Sequence, residues 1–203
     1  MSRIDHEIIL EIIEPNSRVL DIGCADGALL ALLNKKKNVN GQGIEIKHDN
    51  VEECLKNGLS VLEGDANNEI TNFPKNSFDY VILSQTLQTV INPKLVLEQM
   101  LRVGKRVIVS FPNFGYWACR IQLLIKGKMP VTKELKYTWY NTPNIHLCTV
   151  KDFYELTKLI NIHIEKEYAI SPIGKTIQSN YLKLITNLIS SHVIFLLAKN
   201  NTS

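Results

Sequence analysis

The stretch Ser17-Arg-Val-Leu-Asp-Ile-Gly-Cys-Ala-Asp-Gly27 decides how this chain is read. Val19-Leu20-Asp21-Ile22 is a short apolar strand, glycines stand at 23 and 27, and Ala28-Leu29-Leu30-Ala31-Leu32-Leu33 opens a helix. A strand, a turn of small residues and a helix form the mouth of a nucleotide-type site in an α/β sheet. Gly23 and Gly27 free the backbone and let a ligand approach it closely. Spacing alone leaves the ligand open, because Gly23, Ala25 and Ala28 also fit a degenerate G-x-G-x-x-G/A. The acid tips the balance. Asp21 sits two residues before the first glycine, where it would repel a pyrophosphate held on the helix start. It suits a ligand that carries an ammonium group, such as S-adenosylmethionine.

Two more acids follow at the ends of the next two strands. Gly43-Ile44-Glu45-Ile46 reads as strand two, and Glu45 lies 18 residues past Gly27, about where an acid reaches a ribose diol. Leu59-Ser-Val-Leu-Glu-Gly64-Asp65-Ala66 reads as strand three running into Gly-Asp-Ala. Asp65 is placed to accept from an adenine amino group. A strand-ending acid taken alone is as readily a solvated or helix-capping residue; three in order, at successive strand ends, favour binding.

This set resembles the class I S-adenosylmethionine-dependent methyltransferase fold. Asp21-x-Gly23-x-Ala25-x-Gly27 looks like that family's first motif, with Ala25 in place of the usual middle glycine, a change that a negative φ would accommodate. The fold implied is α/β, a doubly wound, mostly parallel seven-stranded sheet.

At 203 residues the natural count is one domain, 1–203, and a chain this long buries roughly 70% of its unfolded surface. Hydrophobic content of 45% and charged content of 21% are those of a soluble globular protein. A net charge of +3 gives no argument for nucleic acid, and Lys35-Lys36-Lys37 reads as a helix end that suits the dipole. Cys24, Cys54, Cys119 and Cys148 include no C-x-x-C pair and read as reduced packing thiols, and the five histidines lack metal spacing. The start of the chain has no signal-peptide pattern and no apolar run reaches the roughly 20 residues of a membrane span. The expectation is a cytoplasmic protein with no membrane association.

The chain alternates helix and strand. Ile4, Ile8, Ile9, Ile12 and Ile13 make a helical stripe. Helices are expected at about 26–36, 48–57, 93–102 and 151–160. Strands are expected at about 41–46, from 59, at 76–84 and at 105–111, with closing antiparallel strands at 162–170 and 192–199. Residues 112–149, punctuated by Pro112, Gly115, Pro130 and Pro143, break the rhythm as an insertion that would cover the crevice as a lid. Its Trp117, Ile121, Leu124 and Ile125 share a helical face that either packs on the sheet or meets a partner. Strand four ends at Ser84-Gln85-Thr86-Leu87-Gln88, beside the switch point, without the Asn/Asp-Pro-Pro-aromatic run of exocyclic-amine methyltransferases. Gln85 and Gln88 either bond a ligand or cap the next helix. His146 is either a general base or a residue ordering the insertion, and Asn113, Tyr116 and Tyr140 could line an acceptor pocket.

Four strings are more specific than the glycine turn: Val81-Ile-Leu-Ser-Gln-Thr-Leu-Gln88, Ser110-Phe-Pro-Asn-Phe-Gly-Tyr-Trp117, Met129-Pro-Val-Thr132 and Trp139-Tyr-Asn-Thr-Pro-Asn-Ile-His-Leu-Cys-Thr149. Together, across roughly residues 15–165, they closely resemble the MetW family. The resemblance implies a methyltransferase-fold protein of methionine biosynthesis associated with homoserine O-acyltransferase. It implies S-adenosylmethionine or S-adenosylhomocysteine as cofactor, held by Asp21, Gly23, Ala25, Gly27, Glu45, Ile46, Gly64, Asp65, Ala66, Ser84 and Gln85. It assigns no catalytic residue and no metal. The alternative is an active methyltransferase on a small-molecule acceptor.

Overall fold

A computed structural model describes residues 4–132, 135–174, 176–177 and 183–200. In chain order its first elements are α1 (Ile4–Ile12), β1 (Arg18–Ile22), α2 (Ala28–Lys37), β2 (Asn40–Glu45), α3 (His48–Lys56), β3 (Ser60–Glu63) and the one-turn α4 (Ala66–Glu69). There follow β4 (Phe78–Ser84), α5 (Pro93–Val103), β5 (Gly104–Pro112), α6 (Trp117–Lys126) and α7 (Val150–Leu159). The chain closes with β6 (Ile162–Ile170), β7 (Thr176–Ile177), α8 (Lys183–Ile189) and β8 (His192–Lys199).

The sheet order is β3-β2-β1-β4-β5-β8-β6-β7. Strands β1 to β5 run parallel, while β8 pairs antiparallel with both β5 and β6. The seven-stranded sheet expected from the sequence is β1–β6 with β8; the two-residue β7 adds an edge beyond β6. The order reverses between β1 and β4, which opens a crevice at their carboxyl ends.

The central strands β1, β4, β5 and β8 are largely apolar because both their faces are covered. Successive side chains alternate between two cores. Leu20, Val81, Val107 and Phe195 join the core under α5 and α7, and Val19, Ile82, Ile108 and Ile194 join the core under α1 and α2. Phe111, Phe153 and Phe195 meet with ring centroids 4.7 to 6.0 Å apart and fix α7 on β5 and β8.

Local signals place the helix ends. Asn92 accepts from Leu95 N at 3.1 Å ahead of Pro93, and Thr149 with Asp152 forms a reciprocal cap on α7. Asn38 and Gly127 end α2 and α6 in the left-handed conformation. The elements α4, β7 and α8 carry no clear local signal in the sequence. Each is short, and α8 (Lys-Leu-Ile-Thr-Asn-Leu-Ile) mixes β-branched and polar residues, so tertiary contacts rather than propensity hold it.

Candidate functional site

The turn after β1 is the base of the crevice. The N–H groups of Gly23 and Cys24 both donate to Ile44 O, at 2.8 and 3.2 Å, and carry the β1–β2 ladder into the turn. Gly23 and Gly27 have φ of +70° and +74°, as glycine allows. A Cβ on Gly23 would stand 2.8 Å from Thr86 Cγ2, so the turn and the end of β4 touch closely. Ala25 departs from expectation: its φ is +50°, not negative. Two contacts hold it there. Ala25 N donates to Glu45 Oε2 at 2.8 Å, and the Cys54 thiol donates to Ala25 O at 3.3 Å.

Six non-glycine residues among those described have positive φ. Four are asparagines in turns, the residue that tolerates this conformation best. The other two, Ala25 and Gln85, lie on opposite walls of the crevice. Such outliers cluster where function over-determines the backbone.

The three expected acids stand along one edge of the sheet. Asp21 is 2% exposed and pairs in register with Gly43 on β2 and Ile82 on β4. Glu45 is 6% exposed and accepts three backbone N–H bonds: Ala25 on Oε2, and Ile46 and Lys47 on Oε1 at 3.1 and 2.9 Å. A carboxylate offers about four lone-pair positions, so one is left for a ligand hydroxyl. Asp65 caps α4, its Oδ1 accepting from Asn67 N and Nδ2 at 2.9 and 2.7 Å. Gly64 donates to Glu45 O at 2.9 Å, Ala66, the first residue of α4, packs against the core under α5, and the Ile46 side chain points to solvent.

The far wall is the end of β4. Ser84 Oγ lies 3.2 Å from Ser110 Oγ and donates to Asp5 Oδ2 at 3.3 Å. Gln85 N donates to Ser110 O and Oγ, both at 3.0 Å. Gln88 Nε2 donates to Gln85 O at 2.7 Å and closes this turn; α5 is capped by Asn92 instead. Asp5 is a buried acid that the sequence reading missed. Its signal was present: Asp5 stands three and four residues before Ile8 and Ile9, the helical spacing of the buried α1 stripe.

The donor and acceptor balance discriminates between ligands. Among the described residues, Gln88 Oε1, in the turn after β4, and Asn67 Oδ1, in α4 after β3, belong to the buried side-chain oxygens that have no hydrogen-bond partner. Both are acceptors, and the acids add more. At the start of α2, Ala28 N already donates to Asp26 Oδ1 at 3.1 Å, which fills a position a phosphate would need. The site therefore fits a ligand rich in N–H and O–H donors, such as an ammonium group with a ribose diol, and disfavours a pyrophosphate.

The insertion is tied to this wall. Ile145 N and His146 N both donate to Gln88 O, at 2.9 and 3.1 Å, and His146 Nε2 lies 3.4 Å from Ile91 O. His146 thus orders the insertion. Asn113 roots it: Nδ2 donates to Asn187 O and Ser190 O at 2.9 Å, while Oδ1 accepts from Gly115 N and Val150 N. Asn113 and Tyr116 are both buried. Trp117, Ile121, Leu124 and Ile125 are exposed, so this face of α6 does not pack on the sheet.

Burial raises three of the four thiols above the ordinary thiol range. Burial pushes Cys24 far above the ordinary thiol range, with the Asp21 charge adding to it. Burial likewise pushes Cys148 up to about 12 and raises Cys54. Among the described residues no group of three His, Cys, Asp or Glu side chains could hold a metal ion, and no helix is long and apolar enough to cross a membrane.

Comparison with known proteins gives a consistent result. The family model for "Methionine biosynthesis protein MetW" matches residues 3–197. A bifunctional methionine biosynthesis protein MetXA/MetW from Rhodopirellula baltica is 38% identical over 173 residues. That alignment covers 81% of this chain and 28% of the relative, so the chain spans under a third of it. An S-adenosylmethionine-dependent methyltransferase from Thermotoga maritima, a possible histamine N-methyltransferase, superposes with a TM-score of 0.68 at 18% identity, covering 96% of this chain and 87% of its own. The plantazolicin methyltransferase BamL, solved with S-adenosylhomocysteine, superposes with a TM-score of 0.68 at 14% identity, covering 98% and 84%. These two likenesses establish the fold.

Proposed function

The chain belongs to the MetW family of methionine biosynthesis proteins, and from that premise we propose that it binds S-adenosylmethionine or S-adenosylhomocysteine and acts with homoserine O-acyltransferase as a regulatory module. The carrying observation is the acceptor-rich crevice: Asp21, Glu45 and Asp65 on successive strand ends, facing a β4 wall that carries an unpartnered Gln88 Oε1. In this reading Glu45 takes a ribose hydroxyl, Asp21 faces the ammonium group, and Asp65 takes the adenine amino group. Gly23, Ala25, Gly27, Ile46, Gly64, Ala66, Ser84 and Gln85 form the surrounding walls. When bound, the cofactor carries an electrophilic methyl on a sulfonium.

Residues 112–149 act as the cover of the crevice, a role supported by the bonds from Ile145 and His146 to Gln88 O. The acyltransferase partnership is supported by the relative whose name joins MetXA to MetW in one chain. The regulatory reading is preferred to catalysis because the best candidate base, His146, is engaged with the main chain of Ile91.

Calorimetry tests the first half. One S-adenosylmethionine or S-adenosylhomocysteine per chain and no NAD is the expected result, and tight NAD binding alone would overturn it. Capture of the acyltransferase by the chain, with and without S-adenosylmethionine, tests the second half.

A further inference from the structure

The insertion presents an apolar face that the crevice does not use. Leu124, Ile125 and Trp139 are 84%, 75% and 74% exposed. Of the 21 large hydrophobic side chains exposed among the described residues, twelve lie between Trp117 and Leu147. Single exposed hydrophobics need no explanation, but this density marks an interaction surface. The face stands on a packed base of its own, Tyr116, Cys119 and Leu135 with Phe114 and Ala118. A pocket of 180 Å³ opens in the same segment between Met129, Pro130, Tyr137, Trp139, Ile145 and Leu147.

Charge says what covers it. Residues 112–149 hold Arg120, Lys126, Lys128, Lys133 and Lys136 against Glu134 alone. The insertion is therefore +4 within a chain of +3, and all the rest sums to −1. Apolar anchors and a pocket in a segment of net charge +4 select a surface of the opposite kind, an apolar side chain with acidic neighbours. Exposed tryptophan and tyrosine beside a pocket are the usual anchors of a protein interface. A membrane-surface helix would instead lay one continuous apolar stripe in a plane, without a side-chain-sized pocket.

We infer that the insertion face is the docking surface for homoserine O-acyltransferase, through an acidic patch of that enzyme whose apolar side chain enters the pocket beside Trp139. The inference rests on the partnership proposed above and adds where the contact lies.

The test is calorimetric titration of the purified chain with the purified acyltransferase at low and high salt. The variants are L124D/I125D, W139A and the charge reversal K126E/K128E, all at exposed positions. The expected result is binding by the wild type that weakens as salt rises. Each variant should lose about tenfold or more in affinity, with melting temperature and S-adenosylmethionine affinity unchanged. Wild-type binding that all three variants retain would overturn the docking surface and leave the partnership standing. Absence of wild-type binding would overturn both. Self-association of the chain alone, or co-sedimentation with phosphatidylglycerol vesicles, abolished by L124D/I125D while acyltransferase affinity is kept, would assign the face to that other occupant and overturn the inference.

Discussion

Ala25 sits in a backbone conformation that costs an L-residue roughly 1–2 kcal/mol, and the Glu45 carboxylate and Cys54 thiol hold it there. Ala25→Gly should therefore hold or raise the melting temperature, although the same change at an ordinary position costs roughly 0.5–1 kcal/mol. Gly23→Ala should do the reverse, because its Cβ would press on Thr86 at 2.8 Å with φ at +70°. A melting temperature lowered by Ala25→Gly would show that the turn relaxes away from this geometry. Glu45 carries two duties. Losing its charge-assisted bond to a ligand should cost about 1.5–3 kcal/mol, a loss of roughly 10- to 150-fold in cofactor affinity. The same carboxylate also satisfies three N–H groups, so Glu45→Ala should lower the melting temperature as well. Calorimetry and thermal melts on one preparation check both; unchanged affinity would remove Glu45 from the site.

Between elements, two polar nodes replace apolar packing. Asn113 joins the end of β5, the root of α7 and the last turn of α8 through four bonds of one buried side chain. Asn113→Leu leaves those main-chain groups unpaired and should destabilise the chain by on the order of 3 kcal/mol, read by urea unfolding. A loss below about 0.5 kcal/mol would mean that water substitutes for the amide. At the opposite end of the sheet, Asp79 on β4 takes hydrogen bonds from Arg18 on β1 and an ion pair from Lys105 on β5. The Arg18 hydrogen bonds, chiefly, hold its carboxyl well below the usual carboxylate range. Its contribution to stability is therefore complete above the unfolded-state value near pH ~4 and fades as pH falls below that. Asp79→Asn should shrink the difference in unfolding free energy between pH 7 and pH 3. An undiminished difference would place the acid sensitivity elsewhere.

At the scale of the whole molecule, the chemistry is concentrated at the carboxyl edge of the sheet, and the thiols are kept out of it. Cys24 stands in the turn after β1 but is buried, and burial and the nearby Asp21 charge keep it protonated. Iodoacetamide at pH 8 should leave Cys24, Cys54 and Cys148 unmodified in the folded chain and label them after denaturation, as mass spectrometry would read. Rapid native labelling of Cys24 would show that the turn opens. The remaining surface feature of this scale is the cationic, apolar insertion, which has a small packed cluster of its own around Tyr116, Cys119 and Leu135.

The sequence by itself determined the alternation of strand and helix, the crevice and its acids. Each rests on a short-range signal: the apolar run of Val19–Ile22, the glycines at 23 and 27, Pro93 at the head of a helix, and an acid at each successive strand end. Only the tertiary structure decided the sign of φ at Ala25, because the carboxylate that holds it lies 20 residues away in another strand. It likewise brought Asp5 to Ser84 across 79 residues and gathered four hydrogen bonds on the Asn113 side chain. It turned the α6 face outward, where periodicity shows only that one face is apolar and not what lies against it. Local chemistry reads directly from neighbours in the chain; long-range contacts depend on loop closures that the folded sheet alone brings about.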